Sequence, residues 1–169
     1  FKRVFGPIYL SFFLRSIKMA AISTIICLVL GYPMAMILAG KNLSKKSLLV
    51  VLFVIPMWMN FLARTYAWMT LLERNGLIAT VLGFFGIQSP TLLYTENTVI
   101  LGMVYNFLPF MVLPIYSVLV KIDKAVLEAA EDLGAPPVTV FRRVIFPLSL
   151  PGVSSGIIMV FMPALTTFV

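Results

Sequence analysis

The sequence contains no histidine, a single cysteine, and only six acidic residues among its 169. The absence of histidine excludes a His-dependent catalytic centre and a Cys/His zinc site, and one cysteine, Cys27, excludes a disulfide framework. Charged residues make up 11% of the chain, whereas soluble domains average about 25%. Charge is therefore too scarce for this chain to fold around an ordinary core in water.

Long apolar runs take the place of the missing charge: 61% of the residues are hydrophobic, and the mean hydropathy is +1.05. About 20 apolar residues suffice to cross a hydrocarbon layer of roughly 30 Å. We expect an all-α integral membrane protein, a polytopic helical bundle forming a single transmembrane domain over residues 1–169. Its spans are predicted at about 16–39, 47–72, 98–120 and 152–169.

The ends of the chain and one short run complete this outline. The apolar run 76–86 is too short to cross a membrane and is expected to lie along its surface. The sequence begins at Phe1 and ends in apolar residues at Val169. We therefore expect it to be a fragment of a longer chain.

Proline and glycine positions predict how the spans bend and pack. Pro56 lies inside the second span, where its missing N–H frees a carbonyl and predicts a kink. Gly152 and Gly156 are four residues apart at the start of the fourth span. Such a pair of small residues favours close contact with a neighbouring helix.

The second span has an unusually polar and aromatic half, in which four residues are candidates for a substrate path: Trp58, Asn60, Arg64 and Tyr66. Arg64 is the charge that lies deepest in a predicted span, which makes it a functional candidate. Its side chain could equally reach the membrane surface by snorkelling. Trp58 follows the predicted kink, where its ring face could attract an ammonium group, although helix packing would explain it as well.

No catalytic constellation is visible in the sequence. A Gly-x-x-x-x-Gly-Lys-Ser/Thr loop for ATP is missing, as are His-Glu-x-x-His and Gly-x-Ser-x-Gly motifs. Hydroxyl side chains in the spans are expected to bond to helix carbonyls rather than act as nucleophiles. We predict that the chain is not an enzyme, holds no cofactor or metal, and depends on another subunit if ATP drives its activity.

The net charge of +7 predicts contact with membrane lipid rather than nucleic acid. Lysine and arginine flank the apolar runs and do not line one face. Seven cations fall in the two loops on one side of the predicted spans, and five fall on the other side. This difference favours, by a small margin, a cytoplasmic position for the longer of the two loops, residues 121–151.

The 121–151 loop is the one long polar segment, and it holds four of the six acidic residues. Asp123 can cap a short helix that begins near Lys124, and Gly134 can end it in a left-handed conformation. Pro136-Pro137 suits the opening of a second helix. Pro147 and Pro151 are expected to end that helix and begin the fourth span, which gives a bent helix pair exposing small residues.

Within this loop the residues Glu128-Ala129-Ala130, Gly134, Val144 and Phe146-Pro147 stand at characteristic spacings. The pattern resembles the coupling loop of permeases from binding-protein-dependent, type I ABC importers. The resemblance implies about six spans, of which about four are present here, and an ATPase-docking surface at Glu128, Ala129, Ala130 and Gly134. A helical linker with no docking role remains an alternative, in which Glu128 would only stabilise the first turn of its helix.

Other stretches are similar to the spermidine/putrescine branch of these permeases, namely Leu28–Pro33, Pro56–Tyr66 and Leu108–Tyr116. The resemblance implies a multi-pass protein of the bacterial inner membrane that helps to import a polyamine. It further implies three kinds of partner: a pair of ATP-binding subunits, a second permease subunit and an extracytoplasmic solute-binding protein. ATP would be bound by the partner subunits.

Two other classes of function remain. A stand-alone secondary transporter or channel would also use kinked, partly polar helices, but it would need coupling carboxylates within the membrane. No carboxylate falls inside the four predicted spans. A membrane-embedded enzyme would need catalytic residues that the sequence does not contain.

Overall fold

The computed structural model describes residues 7–40, 50–51, 53–73, 76 and 95–166, and all regular structure in these ranges is helical. Three helices are long and apolar enough to cross a membrane: α1 (Pro7–Ala39), α3 (Glu96–Leu119) and α5 (Pro137–Thr166). Between them lie a 3₁₀ helix (Ile55–Trp58), α2 (Phe61–Leu72) and α4 (Lys124–Asp132). The predicted surface segment at 76–86 lies outside the described ranges except for Gly76. The last three residues of the fourth predicted span, 167–169, also lie outside them.

Helices α1 and α3 run parallel, and α5 runs antiparallel to both. Arg15 near the start of α1 forms an ion pair with Glu96 at the start of α3. Further along, Cys27 of α1 lies 3.8 Å from the carbonyl oxygen of Val104. The C-terminal end of α1, the C-terminal end of α3 and the N-terminal end of α5 therefore meet at one end of the bundle, and α4 lies there too.

Small residues bring α3 and α5 close together. A Cβ atom at Gly152 would lie 2.9 Å from the carbonyl oxygen of Pro114 and 3.1 Å from the Cα of Ile115. A Cβ atom at Gly156 would lie 2.8 Å from the sulfur of Met111. The predicted close contact at these two glycines is confirmed. Met111 and Ile115 are fully buried there and form the centre of the apolar core.

The second predicted span is divided where a kink was expected. Pro56 lies in the first turn of the 3₁₀ helix, which directly follows the helical residues 53–54. Met59 is extended (φ −69°, ψ 144°), and Asn60 then starts α2. The chain breaks three residues after the proline because a 3₁₀ turn rarely continues and a strong N-cap residue follows it.

The prediction that Pro147 and Pro151 separate two helices is wrong. The helix that begins at Pro137 continues through both prolines to Thr166, and residues Phe141–Ile145 within it have π-helical geometry. Membrane helices tolerate proline where a local π turn or a hydroxyl side chain satisfies the freed backbone groups. The wider turn precedes Pro147 and contains Arg143, whose carbonyl is the one that this proline leaves without its usual N–H donor.

Gly152→Ala should destabilise the bundle by about 1–3 kcal/mol, because the added methyl would force apart two backbones that cannot yield locally. Thermal unfolding of the purified protein in detergent measures the effect. Gly102→Ala is the matched control, since a Cβ at Gly102 in α3 would meet nothing within 4 Å. Equal melting temperatures for the two variants would contradict the proposed contact.

Candidate functional site

The segment from Asp123 to Pro137, here called the elbow, connects α3 to α5. Its helix α4 begins as predicted: the Asp123 side chain accepts a hydrogen bond from the backbone N–H of Ala125 at 3.0 Å. This bond satisfies one of the free N–H groups of the first turn. Because α3 ends at Leu119 and α5 begins at Pro137, both ends of the elbow are fixed to packed membrane helices.

The elbow turns at Gly134, whose φ of +75° lies in the left-handed region. The N–H of Gly134 donates to the carbonyl of Glu131 at 2.8 Å, and the N–H of Ala135 donates to that of Ala130 at 3.2 Å. These paired bonds form a Schellman motif, which favours glycine at this position. The predicted end of the helix at Gly134 is confirmed.

Four predicted docking residues lie together on the elbow. Glu128, Ala129 and Gly134 are exposed, and Ala130 is half-buried. The helix begins at Lys124, so Glu128 lies in its second turn and not among the first-turn residues. Stabilisation of the first turn is therefore not the role of Glu128, and its carboxylate faces solvent.

Sequence reasoning missed Leu133, the residue just before the turn. Its side chain is 87% exposed, and Val138 beyond the turn is 68% exposed. A leucine before a helix-ending glycine in an otherwise polar segment was the available indication. The exposed surface of the elbow thus combines a large apolar side chain with small residues and acidic groups.

The start of α5 is attached to α1 through Tyr32. The Tyr32 and Ser149 hydroxyl oxygens lie 2.8 Å apart, and the Ser149 hydroxyl also donates to the carbonyl of Phe146 at 2.8 Å. The Tyr32 ring packs against those of Phe141 and Phe146, with centroids 5.9 and 6.0 Å away. These contacts hold the π turn against the bundle directly behind the elbow.

The four predicted path residues surround the break in the second span but do not share one pocket. Asn60 is the N-cap of α2, and its side-chain oxygen accepts from the N–H of Leu62 at 2.9 Å. Trp58 is 86% exposed and Tyr66 is 66% exposed, so both face away from the three-helix bundle. Trp58 is therefore not packed against the helices that the structure describes.

Arg64 points inward to α3. Its Nη1 donates to the side-chain oxygen of Asn106 at 3.0 Å, and its Nη2 donates to the carbonyls of Met59 at 3.1 Å and Met57 at 3.5 Å. Snorkelling to the membrane surface does not describe this arrangement. The guanidinium lies at the C-terminal, partly negative end of the 3₁₀ helix, where a cation is favoured.

A cavity of about 440 Å³ opens beside the break. Its described lining is mostly apolar and comes from α1, α3 and the residues before the break, including Met34, Tyr105, Pro109 and Met57. Of the four predicted path residues, Arg64 alone contributes to this lining. The hydroxyl groups of Thr24 and Ser117 donate to helix carbonyls at 2.7 and 2.8 Å, as expected, whereas that of Ser23 donates to the sulfur of Met103 at 3.2 Å.

Residues 8–169 match the family described as the inner membrane component of binding-protein-dependent transport systems. The chain belongs to this family. Family members are transport permeases rather than enzymes, and three apolar membrane helices in the described residues agree with a multi-pass inner membrane protein.

Individual relatives cover nearly the whole chain. It is 42% identical, over 99% of its length, to the spermidine/putrescine transport system permease protein PotB of Escherichia coli. It is 31% identical over 99% of its length to the inner membrane ABC transporter permease protein YdcU of the same organism, and 32% identical over 96% to the probable sulfate transport system permease protein cysT of Helicosporidium. The chain spans 62%, 58% and 59% of these relatives.

Gly134→Ala should loosen the elbow without a steric clash. A Cβ at this position meets nothing within 4 Å, so the cost is the backbone strain of a left-handed alanine, about 1–2 kcal/mol. Amide hydrogen exchange at the end of α4 should become about tenfold faster. Gly134→Asn, which tolerates this conformation better, is the control, and equally fast exchange in both variants would argue against strain as the cause.

Proposed function

We propose that this chain is a permease subunit of an ATP-driven importer that moves a polyamine, spermidine or putrescine, into the cytoplasm. The observation that carries the proposal is the elbow: a capped polar helix and turn, fixed at both ends to packed membrane helices, with an exposed apolar side chain at its tip. Family membership supports the importer class. Identity of 42% to a spermidine/putrescine permease supports the substrate.

The elbow is the docking site for one subunit of an ATP-binding pair. Ala129, Ala130 and Gly134 allow a groove of the ATPase to approach the backbone closely, and Leu133 can enter an apolar pocket there. Glu128 can form a charge-assisted hydrogen bond with a basic residue of that groove. When the ATPase pair closes, the groove moves, and the elbow transmits that movement to α3 and α5.

The break in the second span forms this chain's share of the substrate path. Trp58 and Tyr66 are exposed on the side that the three-helix bundle leaves uncovered, and aromatic faces attract ammonium groups. Asn60 and Arg64 hold the break in place behind them. A second permease subunit supplies the facing half of the path and its acidic groups, and an extracytoplasmic solute-binding protein delivers the polyamine.

The charge distribution disfavours a stand-alone secondary transporter. Among the described membrane helices, the carboxylate present is Glu96, which pairs with Arg15 at one end of the bundle. A proton- or sodium-coupled carrier would need such groups deeper in the membrane. Uptake into proteoliposomes that requires ATP and the partner subunits would support the importer, whereas uptake by this subunit without them would overturn it.

Leu133→Ala should weaken binding of the ATPase about tenfold, because burying a leucine side chain contributes roughly 1.5–3 kcal/mol. Binding can be measured by titrating the purified ATPase onto the permease in nanodiscs. Leu150→Ala makes the same chemical change on the membrane part of α5, where the side chain is 48% exposed, and should leave affinity unchanged. Unaltered affinity for Leu133→Ala would remove this residue from the docking surface.

Trp58→Ala should slow uptake of radiolabelled spermidine several-fold, since a cation–π contact contributes about 0.5–2 kcal/mol. Assembly with the partner subunits should remain normal, because the side chain contacts solvent or lipid rather than this bundle. Trp58→Phe retains an aromatic face and should recover much of the uptake. Competition by putrescine and by unrelated solutes in the same assay tests the substrate class, and full uptake by Trp58→Ala would exclude Trp58 from the path.

A further inference from the structure

Arg64 connects three structural elements: the 3₁₀ helix, α2 and α3. It belongs to the first turn of α2, it donates to carbonyls of Met57 and Met59 across the break, and it donates to Asn106 of α3. Within a membrane, a backbone carbonyl without a hydrogen-bond partner is costly. One guanidinium therefore satisfies the open end of the 3₁₀ helix and fixes it to a neighbouring span.

The shape of the guanidinium matters for this arrangement. Its donors form a rigid, planar fork that can serve several acceptors at once, whereas a lysine ammonium is a compact point charge. The Nε atom is buried and has no hydrogen-bond partner in the described structure. The group is thus oriented by its two Nη atoms, which reach Asn106 on one side and the break on the other.

Asn106 lies in the helix that leads directly to the elbow. Helix α3 runs from Glu96 to Leu119, and α4 begins five residues later at Lys124. A displacement of the elbow that shifts α3 along its axis would carry Asn106 with it. Because Arg64 links Asn106 to the carbonyls of Met57 and Met59, these carbonyls would move with α3. The exposed Trp58, which lies between them in the chain, would move as well.

We propose that Arg64 is a positioning residue that makes the break in the second span follow α3. Its guanidinium contacts the protein rather than the solute, and it transmits the movement of the elbow to the aromatic side chains of the path. The transmission role rests on the proposed function. The positioning itself depends only on the contacts of Arg64 and can be tested without the ATPase.

The first experiment measures positioning. A nitroxide attached to Met59→Cys, at an exposed position of the break, reports local mobility by electron paramagnetic resonance. Arg64→Met should increase the mobility of this label markedly. Trp68→Leu is the matched control, because it removes an aromatic contact between the same two helices (Trp68 to Tyr105, centroids 5.1 Å apart) without touching the break. Equal spectra for wild type and Arg64→Met would overturn the proposal.

The second experiment measures transmission in the complete transporter, as polyamine moved per ATP hydrolysed. Arg64→Met should lower this ratio about tenfold, the scale of losing hydrogen bonds to a charged group, while ATP hydrolysis continues. Trp68→Leu should keep the wild-type ratio even where it lowers the melting temperature. Arg64→Lys should remain impaired, and Arg64→Lys combined with Asn106→Asp should recover part of the ratio by forming an ion pair in place of the lost hydrogen bond.

The outcomes separate this proposal from the proposed function. If the wild-type chain neither binds an ATPase nor takes up polyamine, the importer assignment fails, and the label at residue 59 still decides the positioning role. If wild type transports and Arg64→Met keeps the wild-type ratio, transmission through Arg64 is wrong. If Trp68→Leu lowers the ratio as much as Arg64→Met, general packing between α2 and α3 is responsible, and the specific role of Arg64 is excluded.

Discussion

The close approach of α3 and α5 at Gly152 is the constraint on which the rest of the structure depends. In lipid the hydrophobic effect contributes little to the association of helices, so their packing must come from surfaces that fit closely. Gly152 and Gly156 allow the backbone of α3 to lie against α5, and Met111 and Ile115 fill the space around them. Because these two helices also carry the ends of the elbow, their contact determines where the elbow stands.

A second theme is how the molecule interrupts helices inside a membrane. The break in the second span brings its own hydrogen-bond donors and acceptors, whereas α5 accommodates Pro147 by a local change of helical geometry. At the break in the second span, Asn60 caps α2 and Arg64 serves the carbonyls that the 3₁₀ helix leaves open. In α5 a π turn precedes Pro147 and contains Arg143, whose carbonyl that proline leaves without an N–H donor. Irregular backbone is tolerated where such partners exist, and such places often carry function.

The elbow differs from the bundle in the side chains that it leaves exposed. The bundle buries Gly152 and Gly156, whereas the elbow exposes Ala129 and Gly134 beside Leu133. The side chain of Leu133 is 87% exposed on a polar, capped turn, so it contributes little to packing within the described structure. In the proposed function this side chain would be buried by docking to a partner, and the Schellman turn would keep the surface in a fixed shape before the partner arrives. Such preorganisation lowers the entropic cost of binding.

The sequence by itself determined the membrane class, the start and end of α4, the glycine contact of α5 and the family. Hydropathy, a cap at Asp123, a left-handed glycine at Gly134 and motif spacing depend on residues that are near one another in the chain. Tertiary structure alone decided that α5 continues through Pro147 and Pro151, that Arg64 points inward, and that Leu133 stays exposed. These outcomes depend on distant partners, since Arg64 and Asn106 are 42 residues apart and Tyr32 and Ser149 are 117 apart. No local pattern fixes a hydrogen bond whose two ends meet only after the helices have packed.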